Sequence, residues 1–148
     1  MNNKILLLAI TIFIIPLCAC NPSPDMVTVT RVIDGDTIEI GTGQKVRYIG
    51  IDTPEVYPET EPYGIEAWEA NSRLVEGKKV RLERDVSDTD KYGRLLRYVY
   101  IDDVLINAEL VRLGMARAKV YPPDTLYQEL LEQLEKGARE AGWGMWAK

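Results

Sequence analysis

The chain is 148 residues long, with 18 basic and 23 acidic side chains and no histidine. That length holds one domain with one core, and the missing histidine excludes histidine general bases, Ser-His-Asp triads and histidine-ligated zinc. The formal charge of −5 is a poor balance for a general nucleic-acid binder.

At the N-terminus, Asn2, Asn3 and Lys4 precede a nearly unbroken apolar run over residues 5–17. The run is shorter than the ~20 residues a spanning helix needs and suits a signal-peptide core. It stops at Leu17-Cys18-Ala19-Cys20, which resembles a bacterial lipobox with an unusual cysteine at its second position. The resemblance implies that Cys20 is lipidated and becomes the first mature residue, anchoring an exported protein to the extracytoplasmic side of a membrane. Simple secretion is the alternative, and the abrupt end of the apolar run at Cys20 weighs against it. On this reading residues 1–19 are a signal peptide and 26–148 the functional domain. Residues 20–25 form a linker, whose five residues after Cys20 reach about 17 Å at full extension. Cleavage removes Cys18, so no disulfide supports the fold. It also removes Lys4, leaving 17 basic against 23 acidic residues and a formal charge of −6.

Residues 27–33 are rich in β-branched side chains and predict a strand. Asp34-Gly35 is a strong hairpin dipeptide, and 36–40 is the return strand. After Gly41-Thr42-Gly43, residues 45–51 read as one continuous third strand ended by Pro54. Residues 63–76 predict a helix with Ile65, Ala67, Trp68, Leu74 and Val75 as core contacts and Gly77 as its stop. Val80 and Leu82 mark a fourth strand, 85–93 a polar loop and 94–101 a fifth strand. Asp102-Asp103 turns the chain into 104–106. Asn107 is placed to cap a short helix ending at Gly114, and Asp124 or Thr125 to cap the last helix. There Leu126, Leu130, Leu134, Ala138 and Ala141 fall on one face. The order predicts an α+β, mainly β fold: a closed five-stranded barrel of OB type with about three helices around it.

Four local features could carry chemistry: Ile33-Asp34-Gly35-Asp36-Thr37, Arg47, Asp52-Thr53-Pro54-Glu55, and Asp90-Lys91-Tyr92-Gly93-Arg94. Taken singly each is ordinary: a hairpin turn, a strand arginine, a strand exit, a polar loop. Taken together, Asp36, Asp52 and Glu55 border neighbouring strands and can converge at one end of a barrel. Such carboxylates repel one another unless a cation or arginines neutralise them. Oxygen donors without histidine or thiolate suit a hard cation, Ca²⁺ or Mg²⁺, and Pro54 holds Thr53 extended, where its carbonyl can face the same ion. A hydrolase built this way uses a carboxylate as base and a metal as Lewis acid, and two arginines complement a phosphodiester. The side chains of Glu55, Arg47 and Arg94 are expected to face a solvated site.

The four features, in this order and at these intervals, resemble the staphylococcal nuclease family over residues 26–146. The resemblance implies an OB barrel and Ca²⁺-dependent hydrolysis of DNA or RNA outside the cell. Asp36 and Asp52 then correspond to metal carboxylates, Thr53 to a carbonyl ligand, and Glu55 to a residue that meets the metal through water and positions or deprotonates the attacking water. Arg47 and Arg94 correspond to the phosphate-binding arginines, and Lys91 and Tyr92 to contacts with a terminal phosphate. Two departures stand out. Known members are basic, and this chain is acidic. Where the family implies a tyrosine pair, Val120-Tyr121-Pro122-Pro123 offers one tyrosine. Stacking on each aromatic is worth ~1–3 kcal/mol, so with Tyr121 alone a weaker nucleotide affinity is expected. A nucleic-acid-binding module with weak catalysis is the alternative, against which Glu55, Arg47 and Arg94 all stand. A surface lipoprotein without enzymatic activity leaves the two arginines unexplained. Nothing demands more than a monomer.

Overall fold

A computed structural model of the chain describes residues 26–148, so the signal peptide, linker and Cys20 fall outside the described residues. Five strands form the barrel: β1 (Met26–Asp34), β2 (Thr37–Ile40), β3 (Lys45–Tyr48), β5 (Lys79–Glu83) and β6 (Leu95–Ile101). The order β3-β2-β1-β5-β6 is antiparallel throughout, and a parallel β3–β6 pairing closes it. Val29, Ile38, Val46, Tyr48, Val80 and Val99 fill the interior with no more than trace exposure, each worth ~1.5–3 kcal/mol over an exposed position. Three helices pack outside: α1 (Gly64–Val75), α2 (Ile106–Arg112) and α3 (Gln128–Ala141). The expected closed five-stranded barrel with three helices is therefore the fold.

The third strand is shorter than its sequence suggests. The continuous strand expected over 45–51 breaks after Tyr48, because Gly50 turns the chain with φ of +79°. A Cβ there would lie 2.6 Å from Leu131 Cδ1, so α3 packs directly on the break. The chain leaves the barrel as β4 (Ile51–Asp52) and pairs antiparallel with β8 (Arg117–Ala118), opposing Asp52 to Arg117. A last short strand, β7 (Val104–Leu105), adds to β6 at the edge.

Two helix starts and two core faces also differ from expectation. Asn107 does not cap α2. It lies inside the helix, fully buried, where its Oδ1 accepts from Val99 N (3.0 Å) and its Nδ2 donates to Ile49 O (2.8 Å). It thus satisfies two buried backbone groups that the β3 break and β6 would otherwise orphan. Neither Asp124 nor Thr125 caps α3, which begins at Gln128. Asp124 instead accepts the amides of Val86 (2.9 Å) and Ser87 (2.7 Å), while Asp85 accepts the amide of Leu126 (2.9 Å). These reciprocal bonds pin the segment after Tyr121 to the loop after β5. The buried row of α3 is Leu131, Leu134 and Ala138, leaving Leu126, Leu130 and Ala141 exposed; one residue of helix is a rotation of about 100°, enough to turn Leu130 away. Ile65 is likewise exposed on α1, where Ala67, Ala70 and Val75 face the barrel.

Candidate active site

The β1–β2 turn, β3 and the chain leaving β4 bring Asp36, Arg47, Asp52 and Thr53 together. The β1–β2 turn approaches β4 so closely that a Cβ on Gly35 would lie 2.6 Å from Thr53 Oγ1. A glycine is therefore needed for Asp36 to meet Thr53: Asp36 Oδ2 accepts the Thr53 amide at 3.0 Å, and Oδ1 accepts the Thr37 hydroxyl at 3.2 Å. The same turn is fixed from behind by α1, where buried Asn71 accepts from Tyr48 Oη (3.0 Å) and donates to Asp34 O (3.2 Å).

Arg47 stands opposite Thr37 on β2 and Leu96 on β6. Its guanidinium joins two carboxylates, pairing through Nη1 with Asp36 Oδ1 and through Nη2 with Asp52 Oδ1 at 2.9 Å. Nη2 also reaches Ile51 O (3.4 Å) and Tyr121 Oη (3.5 Å). The side chains of Arg47 and Asp36 are only 11% and 5% exposed. Asp36, Arg47, Asp52, Thr53 and Tyr121 thus touch directly, and the expectation that Arg47 faces a solvated site fails.

Glu55 joins them by field rather than contact. Its loop returns on itself: Glu55 N donates to Glu61 Oε2 (3.1 Å), and Glu61 N to Glu55 O (2.9 Å). Partial burial holds the Glu55 carboxyl above its ordinary range, Asp34 pushes it further, Arg47 opposes, and Asp52 and Glu61 add to the rise. Arg47 thus pairs with Asp36 and Asp52, and its charge also acts on Asp34 and Glu55.

Arg94 sits on the other wall. In the turn before β6, Asp90 Oδ2 receives Arg94 Nε at 2.7 Å, and Oδ1 receives the amides of Tyr92 (2.9 Å) and Arg94 (3.0 Å). Burial alone would raise the Asp90 carboxyl, but the Arg94 side chain and these two amides hold it below the usual carboxylate range. Gly93 supplies the positive φ of +78° that the turn requires. Arg47 and Arg94 both line a cleft of about 170 Å³, with Ile49 and Leu96 as apolar lining and Tyr121 and Asp124 closing it. Lys91 and Tyr92 lie on the outer rim, the Lys91 ammonium 5.0 Å from the Tyr92 ring centre.

Two site residues escaped the sequence reading. Asp34 was assigned to the hairpin turn alone. Burial raises its carboxyl, against the pull of Thr37, Arg47 and Arg94, and its Oδ1 accepts the Asp36 amide at 3.0 Å. The signal was an aspartate on each side of Gly35. Lys119 places Nζ 3.0 Å from Asp52 Oδ2 and 5.4 Å from the Tyr121 ring centre. Its bond to Asp52 raises the ammonium above its ordinary range, burial opposes this, and Tyr121 adds to it. Lys119 and Tyr121 are two residues apart, which in extended chain puts both on one face.

Among the described residues, no three or more Asp, Glu, His or Cys side chains are set to hold a metal ion, since Arg47 fills the space between Asp36 and Asp52. The chemistry of the donors nonetheless fits a hard divalent cation: oxygen donors only, and carboxylates in excess of the cations around them.

Residues 45–148 match the family of staphylococcal nuclease homologues. The chain is 45% identical over 126 residues to the thermonuclease of Staphylococcus intermedius, covering 81% of this chain and 75% of that protein. It is 44% identical over 133 residues to the thermonuclease of Staphylococcus hyicus, covering 86% and 79% respectively. Against endonuclease YncB of Bacillus subtilis it is 42% identical over 130 residues, covering 82% and 62%. With its closed barrel, its arginine cleft and these likenesses, the chain belongs to the staphylococcal nuclease family.

Proposed function

We propose that the protein is a calcium-dependent endonuclease hydrolysing phosphodiester bonds of DNA, RNA or both. The carrying observation is the cleft in which Arg47 and Arg94 face the same space beside a crowd of carboxylates. Two guanidiniums can hold the non-bridging oxygens of one phosphodiester and neutralise charge that grows during attack. Glu55 is exposed, unlike Asp34, Asp36 and Asp52, and its raised affinity for a proton suits it to position or deprotonate a water. The carboxylates of Asp36 and Asp52 and the Thr53 carbonyl would hold calcium, with Glu55 reaching it through water. When bound, the ion supplies Lewis-acid stabilisation of the phosphate. Lys91 and Tyr92 then contact a terminal phosphate, and Tyr121 flanks the nucleotide. The test is digestion of DNA and RNA across a calcium titration. Activity should appear with calcium at ~10⁻⁴–10⁻³ M, the range of extracellular calcium modules, and vanish in chelator. Full activity in excess chelator sinks the proposal.

Lys119 enters as a competitor for Asp52. The pair is about half exposed, so it is worth only ~0.2–1 kcal/mol. Lys119→Met is expected to tighten calcium binding by up to about fivefold, measured by calorimetric titration without substrate. Unchanged or weaker binding would show that Lys119 does not compete with the ion.

We also propose that the nuclease is a membrane-anchored lipoprotein, on the strength of the apolar run ending at Leu17-Cys18-Ala19-Cys20. Cys20→Ala should leave an uncleaved precursor or a released form in cell fractionation. Wild-type processing and fractionation of that variant would favour simple secretion.

A further inference from the structure

Exposed apolar side chains gather where the chain enters the barrel. Met26 begins β1 and stands directly opposite Arg81 on β5. Val80 points into the core, so Arg81, Met26 and, two residues on, Glu83 share the outer face. Arg81 Nη1 pairs with Glu83 Oε2 at 3.0 Å, and Glu83 Oε1 receives Tyr127 Oη at 2.8 Å. The start of α3 is thereby held over β5, two strand residues or about 7 Å from the Met26–Arg81 pair. Leu126 and Leu130 flank Tyr127 in the chain, and Asp124, which accepts the Val86 amide, brings Val86 beside them. Met26 is 45% exposed, Val86 60%, Leu126 59% and Leu130 42%.

The polar groups between these side chains are already used. Glu83 holds Arg81 and Tyr127, while Asp85 accepts Tyr98 Oη (3.2 Å) and the Leu126 amide (2.9 Å). Arg84 and Glu129, exposed beside them, are of opposite sign. A group of exposed apolar side chains with no net charge marks an interaction surface, whereas apolar residues scattered singly do not.

The tether decides what covers this surface. With lipid on Cys20, the five residues that follow reach about 17 Å at full extension, and they end at Met26. A tether that short holds the surface against the bilayer at an effective concentration on the order of millimolar, enough for a contact too weak to bind membranes alone. Among the described residues no helix is long and apolar enough to cross a membrane, so the contact is made with the lipid surface.

We propose that Met26, Val86, Leu126 and Leu130 form a membrane-docking face, which lays the tethered domain on the bilayer in one orientation. β1 runs from this face to the turn carrying Asp36, up to about 26 Å for its nine residues. Docking therefore holds the carboxylates away from the headgroups and open to substrate. The inference rests on the lipid-anchor reading and adds an orientation to it.

The full lipidated chain, reconstituted in phosphatidylcholine vesicles, would carry a single nitroxide label through Val86→Cys, Leu126→Cys or Ile65→Cys in turn. Ile65 is 43% exposed and as apolar, but lies on α1 beside the Glu55 loop. On vesicles the labels introduced at Val86 and Leu126 should collide with a water-soluble nickel chelate at least ~fivefold less than the label at Ile65, as side chains seated at the headgroup boundary do. Adding Met26→Ser and Leu130→Ser, both at exposed positions, should restore collision at Val86 while the protein stays on the vesicles. Equal nickel collision at all three positions, on protein that stays with the vesicles, overturns the docking face and leaves the anchor standing. A chain that does not stay with the vesicles, with Cys20 unmodified, overturns the anchor reading and the docking face with it.

Discussion

Replacing Arg47 with alanine is expected to cut turnover at least ~100-fold and to destabilise the metal-free protein by about 3–5 kcal/mol. The second effect follows from burial. Asp36 keeps only 5% of its side chain exposed, and Arg47 is its charge partner as well as that of Asp52. Without the guanidinium, the buried carboxylate keeps only the Thr53 amide and the Thr37 hydroxyl. Removing one partner of a buried pair costs far more than the pair itself contributes, because the remaining charge is stranded away from water. Calcium should reverse part of the loss. A ligand that binds only the folded state stabilises it by mass action, and two carboxylates freed of Arg47 attract the ion more strongly. The variant should therefore gain more from calcium than the wild type does. Urea denaturation in chelator and in calcium, beside steady-state kinetics, reads both effects. Wild-type stability in chelator would mean that Asp36 is not held ionised by Arg47.

The barrel was readable because its strands carry local signals that agree with the fold. The hairpin falls where its dipeptide signals it but one residue later, since β1 runs through Asp34, which pairs with Thr37 and leaves Gly35-Asp36 as the turn; Val27 to Val32 on β1 and Val46 to Tyr48 on β3 carry β-branched and aromatic side chains. What was not readable depends on contacts between distant segments. In Tyr48-Ile49-Gly50-Ile51 the one local sign of the break is the glycine, which inside a strand also fits a bulge or a close backbone approach; its positive φ and the packing of Leu131 against it belong to the folded chain. Asn107 looked like a helix cap because asparagine prefers caps, and tertiary demand from Val99 and Ile49 drew it inside instead.

The site divides in the same way. Asp36 and Asp52 were placed together as carboxylates at turns bordering neighbouring strands, with Thr53 turned toward them by Pro54 and an arginine beside them, and the barrel brings Asp36, Arg47, Asp52 and Thr53 into direct contact. That Arg47 is buried could not be read, because its neighbours on β3 differ in no obvious way from those of a solvated arginine. Lys119 was invisible for another reason. Its partner Asp52 is 67 residues away, and only the pairing of β4 with β8 joins them.

Glu55→Gln should separate catalysis from stability. Turnover is expected to fall at least ~100-fold, as loss of a base or water-positioning group commonly causes, with KM nearly unchanged because Arg47 and Arg94 still hold the phosphate. The fold should not suffer. Glu55 is exposed, and its side chain is pushed toward the protonated form by burial and by Asp34, Asp52 and Glu61, so its negative charge is unwelcome where it stands. A neutral amide of the same shape removes that repulsion, and metal-free stability should hold or rise slightly, opposite in sign to Arg47→Ala. Kinetics, calcium calorimetry and denaturation on the same preparation distinguish three outcomes. A lost turnover with calcium binding kept places Glu55 at the water. A lost turnover with calcium binding lost makes it a metal ligand foremost. Turnover near wild type takes Glu55 out of the reaction.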